Sequence, residues 1–289
     1  MNAQYVGRFA PSPTGFLHAG SLVAALASFI DAKAHNGRWL IRIEDVDQTR
    51  CKTQWADSIL NVLDRLEMKS DGPIIWQSQR TERYSEVLQR LIDEQKVYGC
   101  SCSRQTIEEF NRKLSTPPHR YPGLCRNGAE GPIRAWRFLT NQTPVSFTDR
   151  WMGSYTQNVE EKVGDFVVKR ADGLFAYQLA VIVDDHDSGV TDIVRGADLI
   201  DNTPRQLVIY RALGWQEPRY MHIPLVLNDR QEKLSKQGGA KPLSEDLMAE
   251  LQQAWRHLGF DPILTASFQD FYEKATQQWQ KRFKIRIQK

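Results

Sequence analysis

An α/β fold built on a doubly wound parallel sheet is predicted by three observations. Short runs of strand-forming residues alternate with segments of helical periodicity. The first run, residues 4–9, passes through a Pro- and Gly-rich turn directly into a helix. The alternation is interrupted once, between about 98 and 164, and then resumes. Strand alternating with helix is the pattern of a parallel sheet covered on both faces.

The elements follow in order. After the strand at 4–9, Ala10-Pro-Ser-Pro-Thr-Gly15 marks a turn. Leu22, Val23, Leu26, Phe29, Ile30 and Ala34 recur at helical spacing, and Asn36-Gly37 supplies a stop. Residues 39–43 read as a second strand and 53–66 as an amphipathic helix. An extended piece at 74–76 precedes a helix over 82–97, with Thr81 as its expected cap. The stretch 98–164 is rich in Pro, Gly, Asn and Arg, holds three of the four cysteines, and reads as an inserted subdomain. Beyond it, 179–183 is expected as a buried strand ending in Asp184-Asp185-His186, followed by a strand at 192–195. Thr203-Pro204 opens a helix that stops at Gly214, and 222–227 forms a last strand. Past Lys241 the chain reads as mostly helical. The expected organisation is a nucleotide-binding fold in two halves, 1–97 and 165–240, with an insert at 98–164 and a helical C-terminal region at 241–289.

Composition narrows the class of protein. Of 289 residues, 41% are hydrophobic and 25% charged, which argues against disorder. No apolar run reaches the roughly 20 residues of a membrane span, and residues 1–8 resemble neither an export nor a transit signal. A cytoplasmic protein without a membrane partner is expected. The net charge of +3 permits a polyanionic partner without demanding one. The tail is more basic, with Lys281, Arg282, Lys284, Arg286 and Lys289 around Trp279 and Phe283. By itself that pattern is a solvated helix end before it is a phosphate-facing edge. Four cysteines are too few for a disulfide scaffold, and Cys51 reads as a free thiol.

Neither Gly-rich phosphate cradle, GxGxxG or GxxxxGK[ST], is present. In their place stands Arg8-Phe-Ala-Pro-Ser-Pro-Thr-Gly15-Phe-Leu-His18-Ala-Gly20-Ser21. A strand, rigid turn and helix start bring His18, Gly20 and unpaired amides to a helix N-terminus, which favours an anion. A lone histidine in such a turn would be incidental; the whole string is not. It closely resembles the opening of the glutamyl-tRNA synthetases, class I enzymes whose HIGH-type motif reads here as His18-Ala-Gly-Ser21. Lys233-Leu-Ser-Lys236-Gln237, after the last expected strand, resembles their KMSKS-type loop. Ile43-Glu44-Asp45-Val-Asp47-Gln-Thr-Arg50, residues 173–186 and Arg195-Gly-Ala-Asp198 are similar to further blocks of the glutamate branch. The resemblance spans residues 5–237, interrupted by the insert.

It implies a class I, Rossmann-like fold and ATP-dependent activation of glutamate. ATP would lie at His18, Gly20, Ser21 and Lys236, with Mg²⁺ bridging its phosphates, and His18, Lys233 and Lys236 would carry catalysis. Glutamate would be held by Arg8, Ser12, Glu44, Tyr177 and Arg195. The chemistry agrees, because two carboxylates and one ammonium need cations, fixed donors and an anion, and arginine offers a forked donor. Asp45, Asp47 and Arg50 read as loop-shaping ion pairs.

The insert holds Cys100-Ser-Cys102 and Cys125, and a tetrahedral zinc site needs a fourth ligand. His119 is the chemically obvious candidate. Short glutamyl-synthetase paralogues carry CxC…YxxxC in their insert, and that resemblance implies Tyr121; both stay open, as do three reduced thiols without metal.

Length adds one expectation. Full glutamyl-tRNA synthetases carry helical anticodon-reading domains after the KMSKS-type loop, and the 53 residues of 237–289 are too few for such a module. The short paralogues activate glutamate without tRNA and attach it to the queuosine base at the wobble position of tRNA(Asp). This resemblance implies glutamate, ATP and the tRNA(Asp) anticodon stem-loop as partners of a monomer, with Arg104, Arg112, Lys113, Lys281 and Arg282 as candidate phosphate contacts. A glutamate-activating enzyme with another acceptor, or a non-catalytic zinc-stapled RNA-binding relative, are the alternatives. Intact Arg8, His18, Glu44, Lys233 and Lys236 favour an enzyme.

Overall fold

A computed structural model describes residues 4–227 and 241–286. The first half runs Val6–Phe9 (β1), Ala19–Ala34 (α1), Arg38–Ile43 (β2), Thr53–Arg65 (α2), Ile75–Trp76 (β3) and Thr81–Asp93 (α3). Next come Val97–Cys100 (β4), Arg104–Leu114 (α4), Ala135–Phe138 (β5), Val145–Asp149 (β6), Gly153–Gln157 (β7), Val159–Lys162 (α5) and Val167–Lys169 (β8). The chain continues through Tyr177–Asp187 (α6), Asp192–Gly196 (β9), Thr203–Ala212 (α7) and Arg219–Ile223 (β10). Leu247–His257 (α8) and Phe268–Phe283 (α9) follow.

All four residues of β1 are buried, as are five of the six in β2, which suits strands covered on both faces. β1 pairs in parallel with β2, and β2 with β3. β10 pairs in parallel with β9 on one side and, at Tyr220 and Asp149, with β6 on the other. The two sheets abut at β1 and β9: the Thr191 amide donates to the Val6 carbonyl at 2.9 Å, and the Val6 amide to the Thr191 hydroxyl at 3.0 Å. The strand order is therefore β3-β2-β1-β9-β10-β6, with β7 antiparallel at the edge. Chain order reverses between β1 and β9, the place where open α/β sheets bind ligands. One core lies between α1, α2, α8 and α9, and a second between α3, α6 and α7 on the opposite face. The doubly wound sheet is thus as expected.

The segment 98–164 contributes to two sheets. β4 and β5 build an antiparallel sheet with β8, while the β6–β7 hairpin joins the main sheet through β10. Among the described residues no helix is long and apolar enough to cross a membrane.

Four local expectations are corrected. The helix expected over 82–97 ends at Asp93: Gln95 turns the chain at φ +56°, and Val97 opens β4. Residues 179–183, expected as a strand, belong to α6, where everything from Gln178 to Asp185 is buried. A short apolar run enclosed on all sides shows no polar face, so periodicity cannot separate helix from strand. Thr81 is the first residue of α3 rather than a side-chain cap; Arg80 occupies the cap position and sends its guanidinium to Asp184 and Asp187. The strand expected at 222–227 ends at Ile223, because Pro224 has no amide to continue the ladder.

Candidate active site and metal centre

The switch point opens into a cavity of about 600 Å³. Arg8 reaches it from β1, Ser12 from the Pro-rich turn, and His18, Gly20 and Ser21 from the start of α1. Glu44 follows β2, Tyr177 opens α6, and Arg195 lies on β9. Residues separated by nearly two hundred positions thus line one space. Lys233 and Lys236 lie outside the described residues; Pro224, Leu225 and Val226, on the chain leading to them, line the same cavity.

The floor is a buried ion-pair network. Arg8 Nε donates to Asp185 Oδ1 at 3.0 Å, and Arg42 Nη1 donates to the same oxygen at 2.6 Å. Arg42 Nη2 donates to Glu44 Oε1 at 3.1 Å. Burial alone would raise the Asp185 carboxyl, but Arg42 and Arg8 outweigh it and hold Asp185 below the ordinary range. For Glu44 burial wins over the same two arginines, and its carboxyl is raised. Asp184, behind, accepts from Gln77 at 2.7 Å and Arg80 at 2.6 Å, and from the Tyr84 hydroxyl.

The opposite wall is set by Arg195. Its Nε donates to His222 Nε2 at 3.0 Å, its Nη2 to Thr203 Oγ1 at 2.8 Å, and its Nη1 to the Tyr177 hydroxyl at 3.3 Å. His222 Nδ1 lies 2.6 Å from Asp149 Oδ2. Burial, against the pull of Asp149, lowers the His222 pKa. At the mouth, His18 caps α1: its Nδ1 accepts from the Ser21 amide at 3.4 Å. No acidic residue occupies the first turn of that helix, which leaves its N-terminal field favourable to an anion.

The loop-shaping residues behave as such. Asp45 accepts from the Ser78 amide at 2.8 Å and hydroxyl at 2.7 Å. Asp47 accepts from Thr49, Arg170 and Arg50, which together hold its carboxyl well below the ordinary range. Arg42, Asp149, Asp184, Asp185 and His222 were given no role in the site from the sequence. A charged residue inside the apolar run 39–43 was the signal for Arg42, and the paired acids of 173–186 for Asp184 and Asp185; nothing local marks His222 or Asp149.

A second cluster sits in the insert. The Sγ atoms of Cys100, Cys102 and Cys125 all lie within 4.8 Å of one another. The Tyr121 hydroxyl is 3.3 Å from Cys100 Sγ and 3.6 Å from Cys102 Sγ, and it accepts from the Cys125 amide at 3.0 Å. Tetrahedral zinc–thiolate bonds of about 2.3 Å would place sulfurs about 3.8 Å apart, so three thiols and a phenol fit the ion. His119 is exposed in a turn and outside this group. The Arg137 guanidinium stacks 3.7 Å from the centre of the Tyr121 ring.

The candidate phosphate contacts Arg104, Arg112, Lys113, Lys281 and Arg282 are all exposed. Arg282 also packs against the fold: it donates to the Leu258 carbonyl at 2.8 Å and lies over Trp151 and Phe260.

Comparison with known proteins agrees with this geometry. A family model described as tRNA synthetases class I (E and Q), catalytic domain, matches residues 4–256. A Burkholderia cenocepacia protein named glutamyl-Q tRNA(Asp) synthetase is 48% identical over 295 residues, covering 98% of each chain. A Bordetella bronchiseptica protein of the same name is 48% identical, covering 98% of this chain and 91% of its own. The crystal structure of glutamate-tRNA synthetase from Elizabethkingia anophelis matches with a TM-score of 0.71 and 25% identity, over 82% of this chain and 53% of that one. A glutamate tRNA ligase from Elizabethkingia meningosepticum shares the fold, with a TM-score of 0.69 and 23% identity, over 90% of this chain and 54% of its own. The chain spans about half the length of these two solved synthetases.

Proposed function

The chain belongs to the class I tRNA synthetases of the glutamyl and glutaminyl branch, and on that premise we propose that it activates glutamate with ATP and transfers it to queuosine at the wobble position of tRNA(Asp). One observation carries the activation step: a single cavity at the switch point faces two arginines, a carboxylate and a helix N-terminus. Arg8 and Arg195 pair with the carboxylates of glutamate, Ser12 and Tyr177 supply hydroxyls, and Glu44 takes the ammonium. The relatives matched over 98% of this chain, by their name, support the acceptor.

In this reading an oxygen of the glutamate α-carboxylate attacks the α-phosphorus of ATP in line. The bond from that phosphorus to the bridging oxygen breaks, and pyrophosphate leaves with the electron pair. No side chain forms a covalent bond, so catalysis is positioning and stabilisation of developing charge. His18, Gly20 and Ser21 hold the phosphates at the start of α1, and Lys233 and Lys236 neutralise their charge. Mg²⁺, carried by the phosphates, adds further charge neutralisation when bound. An acceptor hydroxyl then attacks the adenylate carbonyl; the bond from that carbon to the phosphate oxygen breaks, and AMP departs with the electron pair, its phosphate taking up the hydroxyl proton. Cys100, Cys102, Tyr121 and Cys125 would hold zinc as a staple joining β4, the start of α4 and the 121–125 turn. Arg104, Arg112, Lys113, Lys281 and Arg282 would meet RNA phosphates, and the protein acts as a monomer. Residues 98–164 serve as the acceptor-binding insert between the halves 1–97 and 165–240, with 241–289 as a helical support.

Glutamate-dependent exchange of pyrophosphate into ATP, measured without tRNA, tests the activation step. The wild type is expected to exchange, and Lys236→Ala to lose about 100-fold or more while glutamate affinity stays unchanged. Absence of exchange in the wild type would overturn the activation reading. Unchanged exchange in the variant would overturn the role of Lys236.

A further inference from the structure

Arg195 lines the cavity, yet most of its hydrogen-bonding capacity is spent away from it. Nε is occupied by His222, and Nη2 by Thr203 and, at 3.4 Å, by the Leu199 carbonyl. Nη1, beside the Tyr177 hydroxyl, is left to meet a ligand. An arginine Nε only donates, so His222 Nε2 must be the acceptor and the ring proton must sit on Nδ1. There Asp149 Oδ2 accepts it at 2.6 Å. Asp149 is itself fixed: it accepts from the Trp151 amide at 2.9 Å, the Met152 amide at 2.8 Å and the His222 amide at 3.1 Å. His222 is fully buried and Asp149 is 2% exposed, and neither lines the cavity.

We infer that Asp149 and His222 are positioning residues that hold Arg195 in the orientation from which it pairs with a carboxylate of glutamate. The inference rests on the reading that this cavity takes glutamate. A buried carboxylate and imidazole are costly, and an apolar pair of the same volume would pack in their place at less desolvation cost. What the polar pair provides is a fixed tautomer whose Nε2 lone pair faces Arg195 Nε, with the Thr203 hydroxyl, itself an Arg195 partner, 3.2 Å from the same nitrogen. A donor held in place before binding loses little freedom when the ligand arrives, and it favours a charged carboxylate over a neutral amide. Asp149 lies on β6, so a hairpin from the 98–164 segment sets the amino-acid pocket. The same hairpin is tied to the pocket's flank by the hydrogen bond from the Tyr155 hydroxyl to Asp201.

Pyrophosphate exchange by His222→Phe, His222→Gln and Asp149→Asn, with thermal melting of each, tests the inference. His222→Phe keeps a planar ring and removes the acceptor; it is expected to raise the KM for glutamate about tenfold or more and to leave the KM for ATP within about twofold of wild type. His222→Gln offers an oxygen to Arg195 Nε and is expected to recover most of the loss. If His222→Phe does not fold, Asp149→Asn carries the test, with a rise in glutamate KM of about threefold or more expected from the weakened hold on Nδ1. A glutamate KM unchanged in the folded His222→Phe variant, or in Asp149→Asn where that variant replaces it, would overturn the inference. So would equal rises for glutamate and ATP with no rescue by glutamine, which describe general damage. Loss of exchange in the wild type would instead sink the underlying glutamate reading, so the two failures are distinguishable.

Discussion

Glu44 shows how a site residue sets stability against function. Its side chain is 9% exposed and 3.1 Å from Arg42, and burial raises its pKa despite that partner. A carboxyl raised in the folded state contributes stability below its unfolded value of about 4.3 and loses it as pH rises through the folded value. At neutral pH the Glu44 charge is therefore a net cost. Asp185 has the opposite sign: it is held below its ordinary value, contributes above about pH 4, and loses that contribution on acidification. Glu44→Gln is expected to raise the melting temperature of the free protein at pH 7, to lose that gain near pH 4, and to abolish glutamate-dependent exchange. A lower melting temperature at pH 7 would contradict this account of the pocket. Arg8, Glu44, Tyr177 and Arg195 were legible because each sits in a motif string. Arg42 and His222 were not, because their roles depend on partners distant in sequence, such as Asp185, 143 positions from Arg42.

At the scale of elements, amphipathic segments were legible and enclosed ones were not. α2 and α3 show a buried stripe and an exposed face; α2 was expected close to its observed limits and α3 at its start, though α3 ends four residues early. α6 is buried almost all round and was read as a strand. The cysteine cluster depends on a contact that no motif reports: Gly164, at φ +74°, bridges Tyr121, and a Cβ there would meet the Tyr121 carbonyl oxygen at 2.0 Å. Only glycine tolerates that approach. Purified wild-type protein is expected to hold close to one equivalent of zinc, and Gly164→Ala to lose most of it and melt earlier. Less than half an equivalent in the wild type would contradict the metal site. Full zinc in the variant would contradict the coupling.

At the scale of the whole molecule, the sheet order explains why residues from four separate strings converge. The reversal between β1 and β9 places the ends of β1, β2 and β9 around one opening, with α1 and α6 starting at its rim. α8 and α9 buttress α1 from behind: Trp255 and Trp279 are fully buried, and Trp279 Nε1 donates to Asp31 at 2.9 Å. The basic C-terminal segment is thus first a support for the helix that carries His18, and Arg282 serves that packing. The acceptor is decided by recognition of RNA rather than of glutamate. Labelled glutamate offered with ATP to tRNA(Asp) with and without queuosine, and to tRNA(Glu), tests the central claim most directly. Label is expected on the queuosine-containing tRNA(Asp) alone; equal labelling of both forms, or preferential labelling of tRNA(Glu), would contradict it.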